Sequence, residues 1–386
     1  MLAGRAWEGL MTIRRAGFAL LLLGASGVAN AADPMLAQAE IEARAEAAAR
    51  YLVATETAEG RFFYEFDFLR SHFTPDDNIV RQAGAGFVLN QYYFLSGKPG
   101  FAEPAARTIA YYETASVAVG DGLLPSEDGT PAGARAGAAA LALLAELFHS
   151  RATGSDFRPD LREQWFRGLA AQQLPDGGIA QIPTETDADS YATGETWLAL
   201  AHYADFAPDA AEVGAMLQRL EAGVMAKYLA APDRMFAHWG MMAAAQRLAT
   251  TGDVRYRDFL ERFAGNYVDA LMPSTDSGSN TCAALEGVIA ATTALERHGV
   301  TELAATLRTR IEADLPENLR LQLAADSTRL AFGPGQYYED PKLKNLAGAF
   351  RNGAYVLRAR VDSTQHCLSA LLLYRQLIEA PRGGKM

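Results

Sequence analysis

Three polar side chains open an otherwise apolar stretch near the C-terminus, VDSTQHCLSALLLYRQ at Val361–Gln376. Asp362 and His366 are four residues apart, so in a helix they share one face near its N-terminal end, with Gln365 beside them. Imidazole titrates close to neutral pH, and a neighbouring carboxylate can tune it for proton transfer. This stretch is therefore a candidate catalytic segment, with His366 as its acid or base.

Similar polar turns open other apolar stretches. Tyr191 and Glu195 are four residues apart at the start of YATGETWLALAHY. The carboxylate of Glu195 needs a partner or a function, because an unpaired charge in an apolar helix is costly. Two more carboxylates, Glu65 and Asp67, lie in the aromatic segment RFFYEFDF. We predict Glu65, Asp67, Glu195 and His366 as catalytic residues, and we expect Glu195 to be a partner of His366.

Further polar and aromatic side chains in these turns, and in the segments before them, could contact a ligand. The predicted ligand-binding residues are Asn78, Arg81, Gln82, Asp176, Tyr191, Trp239, Asn280, Glu286, Tyr338, Arg351, Asp362 and Gln365. Several of them have an alternative structural role. Asp362 has the residue type of an ordinary helix N-cap, and Arg81 can pair with a carboxylate in one of the connectors. Beside this alternative, we expect Arg81, like Glu195, to be a partner of His366. Trp239 and Tyr338 can belong to the hydrophobic core.

No motif for a metal or a cofactor accompanies these residues. The sequence contains no HExxH, no cysteine or histidine pairs at zinc spacing, no phosphate-binding loop, no dinucleotide fingerprint and no GxSxG. The six histidines are scattered along the chain, and His238 opens one of the apolar stretches without an assigned role. We therefore predict neither a metal nor a cofactor.

The polar turns belong to helices of two alternating kinds. One kind has a polar face and is expected on the outside, whereas the other is small or apolar almost all round and is expected to be buried on every side. The predicted outer helices are Leu36–Glu56, Phe101–Val117, Pro159–Gln173, Pro208–Leu229, Val254–Leu271 and Thr301–Leu323. The predicted inner helices are the one capped by Asp77 or Asn78, Ala134–His149, Tyr191–Tyr203, Phe236–Ala249, Thr281–Glu296 and Val361–Gln376.

The pairs recur at roughly 45 to 60 residues, apart from the last one, which follows a longer connector. Inner helices that are apolar all round favour a closed ring, because an open array would expose one of their faces to water. The predicted fold is all-α: an (α/α)6 toroid of six outer/inner helix pairs over residues 32–386, a single domain with short β-like connectors at its mouth. An open superhelix of tetratricopeptide-like pairs would need units of about 34 residues.

This alternation, with Gly-rich or aromatic connectors before the inner helices, resembles the six-hairpin toroids of carbohydrate-active enzymes: glycoside hydrolases, polysaccharide lyases and sugar epimerases. The resemblance covers Leu36 to Gln376 and lies in the architecture, not in a diagnostic motif. Related terpenoid-cyclase toroids fit less well, because no DxDD motif is present. The resemblance implies a site at the mouth, where the inner helices begin, and a saccharide ligand.

Three functions are compatible with such a site. A glycoside hydrolase, which we favour, would use two carboxylates, with Glu65, Asp67 and Glu195 as the first candidates. A uronate lyase or epimerase would abstract a proton, with His366 or a tyrosine as base and Arg81 neutralising the substrate's acid. The alternative is a non-catalytic cell-envelope protein that binds a glycan or peptide or assists assembly.

The N-terminal residues have the pattern of an export signal. Arg14 and Arg15 precede the apolar run Phe18–Leu23 and the A-x-A sequence at 29–31, so we read residues 1–31 as a signal peptide of a periplasmic or secreted protein. The formal net charge of −11 argues against a nucleic-acid partner, and no later segment predicts stable membrane insertion. Cys282 and Cys367 permit one disulfide, but we expect two separate buried thiols.

Overall fold

Twelve α-helices contain most of the residues that the computed structural model describes, 37–274 and 278–379. The odd-numbered helices are α1 Gln38–Thr55, α3 Ala102–Ala115, α5 Pro159–Ala170, α7 Ala211–Ala230, α9 Val254–Ala270 and α11 Thr301–Leu319. The even-numbered helices are α2 Ile79–Ser96, α4 Ala136–Thr153, α6 Ser190–Phe206, α8 Arg234–Thr251, α10 Cys282–Arg297 and α12 Val361–Glu379. Each predicted helix is present, with ends that differ by a few residues. The predicted signal peptide, residues 1–31, lies outside the described residues.

The two kinds of helix differ in how many of their faces are buried. Helix α9 buries a stripe at spacings of three and four: Tyr256, Phe259, Leu260, Phe263, Ala264 and Tyr267. Helix α4, by contrast, buries every residue from Ala136 to Ser150. A one-sided stripe places α9 on the outside of the protein, and all-round burial places α4 inside it. No helix in the described part of the chain is both long enough and apolar enough to traverse a bilayer.

The inner helices form a closed ring. Contacts run from α2 to α4, α6, α8, α10 and α12, and α12 in turn packs against α2. The outer helices surround this ring: α3 packs on α2 and α4, α5 on α4, α7 on α6, α9 on α8, α11 on α10, and α1 on α12. The contact between α12 and α2 distinguishes a toroid from an open superhelix. The predicted (α/α)6 toroid is confirmed.

All six inner helices begin at the same end of the ring. Side chains and glycines in their first two turns face one another around the ring: Val80 and Gly137, Gly137 and Glu195, Gly194 and Trp239, His238 and Gly287, Glu286 and His366, Gln365 and Gly84. We call this end of the ring, formed by the first two turns of the six inner helices, the mouth. The inner helices are therefore parallel, and their amino-terminal N–H groups gather at the mouth.

Short strands in the connectors border the mouth. The aromatic segment RFFYEFDF contains β1 Glu65–Asp67, which pairs antiparallel with β2 His72–Phe73 and with β7 Arg358–Arg360. Two hairpins complete the strands: β3 Ser116–Val119 with β4 Gly122–Pro125, and β5 Arg329–Gly333 with β6 Gln336–Glu339. Because β7 ends where α12 begins, the sheet fixes the entry of the chain into α12. The predicted strand-like connectors are confirmed.

A disulfide joins two neighbouring inner helices. Cys282 begins α10, Cys367 lies in the second turn of α12, and their Cα atoms are 4.8 Å apart in the bonded pair. The expectation of two separate thiols is wrong, because ring packing brings together two residues that are 85 positions apart in sequence. The bridge lies one residue after His366, so it ties together the two helices that carry Glu286 and His366.

Removing this bridge is expected to lower the free energy of unfolding by roughly 2 to 4 kcal/mol, because a cross-link over a long loop restricts the unfolded chain. The measurement is urea unfolding of the wild type and of the Cys282→Ser/Cys367→Ser double variant, each with and without dithiothreitol. Dithiothreitol should destabilise the wild type alone. Equal unfolding midpoints for the wild type and the double variant under oxidising conditions would show that the bridge does not stabilise the protein.

Candidate active site

Two histidines from opposite parts of the sequence meet at the mouth. His238 is the fifth residue of α8, His366 is the sixth residue of α12, and the centroids of their rings are 5.5 Å apart. The ring of Trp239 is 4.6 Å from His238 and 6.1 Å from His366, so it contacts both. His238 was not among the predicted site residues. Its position in the first two turns of an inner helix, which it shares with His366, could have identified it.

His366 is held by a carboxylate. Its Nδ1 donates a hydrogen bond to Oε2 of Glu286 over 2.7 Å, and Glu286 is completely buried in α10. Burial lowers the pKa of His366, but the charge and the hydrogen bond of Glu286 outweigh it, so the pKa is raised above its ordinary value. This hydrogen bond also leaves the other ring nitrogen, Nε2, as the one that can exchange a proton with a ligand.

The expected partners of His366, Arg81 and Glu195, are not the ones that the structure provides. Glu286, predicted only as a ligand-binding residue, takes this role, and Asp362 acts on His366 only through its charge. Helix α12 begins at Val361, so Asp362 lies inside the first turn and is not the N-cap.

His238 has the opposite electrostatic environment. Its ring is 5% exposed, and its Nε2 atom has no hydrogen-bond partner among the described residues. Burial lowers the pKa of His238 well below its usual value, and the charge of His366 lowers it further. His238 is therefore a neutral imidazole at neutral pH with an available nitrogen, whereas His366 is poised to carry a proton.

Glu195 provides a second acid at the mouth. Burial raises the pKa of Glu195 to about 8, with a contribution from the charge of Asp189, so its carboxyl group is mostly protonated at pH 7. Its Oε2 atom is buried and unpartnered in the described structure. The adjacent turn carries Tyr191, whose ring is 6.0 Å from that of His238. Glu195, which was predicted to need a partner or a function because it lies in an apolar helix, is thus a neutral hydrogen-bond donor.

The Glu195 carboxyl group fits because position 137 has no side chain. A Cβ atom at Gly137 would lie 2.1 Å from Oε2 of Glu195. Since Glu195 is enclosed, Gly137→Ala is expected to lower the free energy of unfolding by roughly 1 to 3 kcal/mol, as overpacking does. At Gly214, in the outer helix α7, an added Cβ atom would meet nothing within 4 Å. Gly214→Ala is therefore expected to raise stability by about 0.5 to 1 kcal/mol through helix propensity.

The check is urea unfolding of both alanine variants beside the wild type. Opposite signs for the two substitutions are the expected result. A neutral Gly137→Ala would show that the Glu195 carboxyl group moves aside at little cost, and that its place in the mouth is not tightly defined.

Several buried polar atoms in the mouth have no hydrogen-bond partner among the described residues. They include Glu195 Oε2, His238 Nε2 and Trp239 Nε1. Buried polar atoms are almost always satisfied in folded proteins, by the chain itself, by water or by a ligand. Such atoms on neighbouring helices mark a place where water or a polar ligand can bind.

The same cluster has the residue types of a metal site. His238, Glu286 and His366 each offer one potential ligand atom, and these three atoms lie within 4.8 Å of one another. Two imidazoles and a carboxylate are a usual set for Zn²⁺. The prediction that the histidines do not cluster is therefore wrong for this pair, because ring closure brings α8 and α12 within reach of each other across α10.

Arg81 lies at the rim of the site in a chain of charges. Its Nε is 3.0 Å from Oδ2 of Asp362, and one of its terminal nitrogens donates to the Tyr64 hydroxyl. Arg360 binds the same Asp362 carboxylate with two hydrogen bonds, of 2.6 and 2.8 Å. Arg81 therefore forms a structural ion pair, which was its alternative role. Its partner, Asp362, belongs to α12 and not to a connector.

Glu65 and Asp67 are engaged in the connector sheet. Glu65 accepts a hydrogen bond of 2.8 Å from Arg358, and Asp67 is 3.5 Å from Arg70 and 4.0 Å from Arg358. Both side chains are buried, and their described ion pairs are with arginines alone. The structure therefore gives them a role in holding β1 against β7.

Six other predicted ligand-binding residues organise the connectors. Asn78 caps α2, Gln82 bonds both backbone groups of Phe62, and Asp176 accepts from the Gly178 amide. Asn280 accepts from the Cys282 amide, Tyr338 donates to Asp340, and Arg351 donates to the Ala331 and Ala354 carbonyls. Of the predicted residues, the structure brings Tyr191, Trp239, Glu286 and His366 together around His238, with Gln365 beside His366. Glu195 lies one turn after Tyr191 on α6.

Several solved structures with a similar fold are those of enzymes that act on sugars. An α-1,6-mannanase from Salegentibacter sp. has a TM-score of 0.63 at 11% identity, covering 87% of this chain and 99% of the mannanase. D-mannose isomerase has a TM-score of 0.61 at 14% identity, covering 88% and 97%. The chain has the (α/α)6-toroid fold of these enzymes. Cellobiose 2-epimerase from Bacillus thermoamylovorans also matches, with a TM-score of 0.58 at 11% identity over 87% and 98%.

The sequence itself matches no family model and no curated protein. At 11 to 14% identity the shared property is the fold. The architectural resemblance to six-hairpin toroids is confirmed.

Proposed function

We propose that this protein is a carbohydrate-active enzyme that transfers a proton at a carbon next to a sugar carbonyl, as in epimerisation or aldose–ketose isomerisation. The observation that carries the proposal is the His238/His366 pair, whose rings are 5.5 Å apart and whose pKa values are shifted in opposite directions. In enzymes, two neighbouring groups whose pKa values are shifted in opposite directions usually act as the base and the acid.

The reaction follows from these protonation states. Neutral His238 takes the proton from the carbon next to the carbonyl of the open-chain sugar. The C–H electron pair forms the C=C bond of an enediolate, and the carbonyl π electrons move to oxygen, where protonated His366 stabilises or protonates them. Return of a proton to the opposite face of the same carbon gives the epimer. Return to the neighbouring carbon gives the isomer, provided that the hydroxyl proton on the first carbon is moved to the former carbonyl oxygen, a transfer that His366 can carry out.

The other unpartnered groups can hold the substrate in place. Protonated Glu195 and the Trp239 N–H are buried donors, suited to sugar hydroxyl or ring oxygens. Glu286 keeps the His366 imidazole in one orientation and supports its positive charge. The site thus supplies a base, an acid and oriented donors, all from the first two turns of inner helices.

The similar structures include a D-mannose isomerase, a sugar epimerase from a ruminal bacterium and cellobiose 2-epimerase, which supports sugar chemistry of this kind. The mannanase offers a contrast, since its inactive variants carry replacements of two adjacent aspartates. In this chain the adjacent pair Asp76–Asp77 is exposed, and Asp77 is bound by Arg61 and Gln82. Proton transfer is therefore better supported than hydrolysis by such a pair.

Glycoside hydrolysis is the second candidate, and Glu195 is the observation in its favour. A carboxyl group with a pKa of about 8 is suited to protonate a leaving glycosidic oxygen. This function would need a second carboxylate as base or nucleophile. Glu286, whose pKa burial also raises, is hydrogen-bonded to His366 in the described structure.

The test is incubation of the protein with a panel of reducing mono- and disaccharides in D₂O, followed by NMR and chromatography. Deuterium at C2 together with a new epimer or isomer is the expected result. Release of reducing ends from polysaccharides without C2 exchange would replace the proposal with hydrolysis, and binding without either reaction would leave a binding protein.

A chelator arm addresses the metal-like cluster. The proposed chemistry predicts that exchange continues after dialysis against EDTA. Loss of exchange with EDTA and its recovery with Zn²⁺ would overturn the histidine acid/base assignment, because the imidazoles would then be metal ligands.

We also propose that the protein is exported to the periplasm or secreted. Residues 1–31 have the order of a signal peptide, with arginines, an apolar run and an A-x-A sequence. The Cys282–Cys367 disulfide suits an oxidising compartment. N-terminal sequencing of the protein recovered from the periplasm should begin near residue 32, and an intact N-terminus in the cytoplasm would refute export.

A further inference from the structure

One arginine at the mouth forms no described ion pair, although the neighbouring Asp233 caps α8. Arg234 is the first residue of α8, it is exposed, and no carboxylate in residues 37–274 or 278–379 lies within 4.0 Å of its guanidinium. Arg234 and His238 are four residues apart, so they share one face of α8, with Arg234 one turn nearer to the solvent. A cationic residue thus lies one helical turn before the proposed base.

A second positive charge stands outside the proposed acid. Arg81 and Arg360 share the single carboxylate of Asp362, so this trio has a net charge of +1. Asp362 is one turn before His366 on α12, which places the trio at the same outer level as Arg234. The side chain of Arg81 is 40% exposed, and three of its five N–H groups have no described partner.

Tyr191 lies within reach of both positive charges. Arg81 and Arg234 act electrostatically on its phenol group, as Glu195 and Asp362 do with the opposite sign, and its ring is 6.0 Å from His238. The buried nitrogens of His238 and Trp239, both unpartnered in the described structure, lie just below this level. Two arginines therefore lie near the outer edge of the site, one bound to Asp362 and one beside Asp233, in a chain whose net charge is −11.

We propose that Arg234 and Arg81 form a subsite for an anionic group on the sugar, so that the substrate is an acidic sugar carrying a carboxylate or a phosphate at the end remote from the reacting carbon. This inference rests on the proposed function, because it names the substrate class of the same site. The geometry fits: one helical turn is about 5.4 Å, which the carbon chain between C2 and C6 of an open-chain sugar can span. Guanidinium groups bind both carboxylate and phosphate with paired hydrogen bonds.

The test compares matched acidic and neutral sugars by titration calorimetry on the full chain. The probes are glucuronate, glucose 6-phosphate and glucose, at low and at high salt. We expect one of the acidic sugars to bind about tenfold or more tightly than glucose, with the advantage shrinking at high salt because exposed charges are screened. Whether glucuronate or glucose 6-phosphate binds more tightly shows whether the subsite prefers a carboxylate or a phosphate.

Two variants assign the effect to the subsite. Arg234→Gln should weaken the acidic sugar about tenfold while changing glucose binding little, because only the charge-assisted hydrogen bonds are lost. The matched control is Arg255→Gln, which removes an exposed arginine at the start of the outer helix α9, beyond the C-terminal end of α8. The control should bind like the wild type.

Equal binding of acidic and neutral sugars, or an Arg234→Gln variant that binds glucuronate and glucose 6-phosphate as the wild type does, would overturn the anionic subsite. This readout is independent of turnover. Preferential binding of an acidic sugar without deuterium exchange would leave the subsite standing and refute the proposed reaction. Deuterium exchange on neutral sugars without preferential binding of acidic ones would support the proposed reaction and refute the anionic subsite.

Discussion

His238→Asn and His366→Asn are each expected to lower kcat for sugar epimerisation or isomerisation by roughly 10² to 10⁴-fold, the usual contribution of a general acid or base. Asparagine keeps the polarity and approximate size of the side chain but cannot exchange a proton. KM should change less than kcat, because the donors of Glu195 and Trp239 remain. The measurement is initial rates with the sugar that shows C2 deuterium exchange, at pH 7.

The two variants should differ in the exchange reaction itself. His238→Asn should slow loss of the C2 proton more than His366→Asn does, because His238 removes the proton and His366 stabilises the enediolate. The double variant should be little slower than the worse single variant, since residues that act as a unit are not additive. His298→Asn, which follows the C-terminal end of α10, is the matched control and should behave as the wild type. Retention of activity by both mouth variants would eliminate the proposed mechanism.

The ring could be predicted from sequence because its signals are local. The stripe of buried aromatics on α9 and the all-round burial of α4 are each visible within one helix. Six repeats of this contrast leave few ways to cover the inner helices, and closure of α12 on α2 is the one that covers them all. Helix ends differed by only a few residues, since Gly, Pro and capping side chains mark them in sequence.

Pairings across the ring could not be predicted in the same way. His366 was expected near Asp362 and Glu195, yet its hydrogen-bond partner is Glu286 from the neighbouring helix. The bond between Cys282 and Cys367 was missed as well, because it too is a contact between two neighbouring inner helices. The rotation of each inner helix about its own axis decides which side chains meet, and contacts between helices set that rotation. A single sequence therefore locates the mouth but not the partners within it.

The small residues of the inner helices show how these pairings arise. A Cβ atom at Gly287 would lie 2.7 Å from the Cα of His238, and one at Gly137 would lie 2.1 Å from Oε2 of Glu195. Neighbouring inner helices thus approach closely at the level of the site, and burial in this close packing strengthens the electrostatic shifts. The same close packing that builds the ring separates the pKa values of His238 and His366.

Glu286→Gln is expected to shift the pH dependence of the reaction. In the wild type, Glu286 outweighs burial and raises the pKa of His366, so His366 remains protonated to a higher pH than an ordinary histidine. Glutamine keeps the size and an acceptor oxygen but removes the negative charge. Burial then dominates, and the pKa of His366 falls. His366 should therefore lose its proton at a lower pH, and the alkaline limb of kcat/KM should move towards acid.

The acidic limb should stay in place, because it reports protonation of His238, whose pKa burial lowers independently of Glu286. The window between the two limbs therefore narrows, and the loss of activity should be largest on the alkaline side, roughly 10 to 100-fold near pH 8, and smaller near pH 6. Glu296→Gln is the matched control: it lies at the other end of α10, paired with Arg308, and should leave the profile unchanged. A loss that is equal at every pH would mean that Glu286 only supports the packing of α10 against α12, and His366 could not then be the acid whose proton the profile follows.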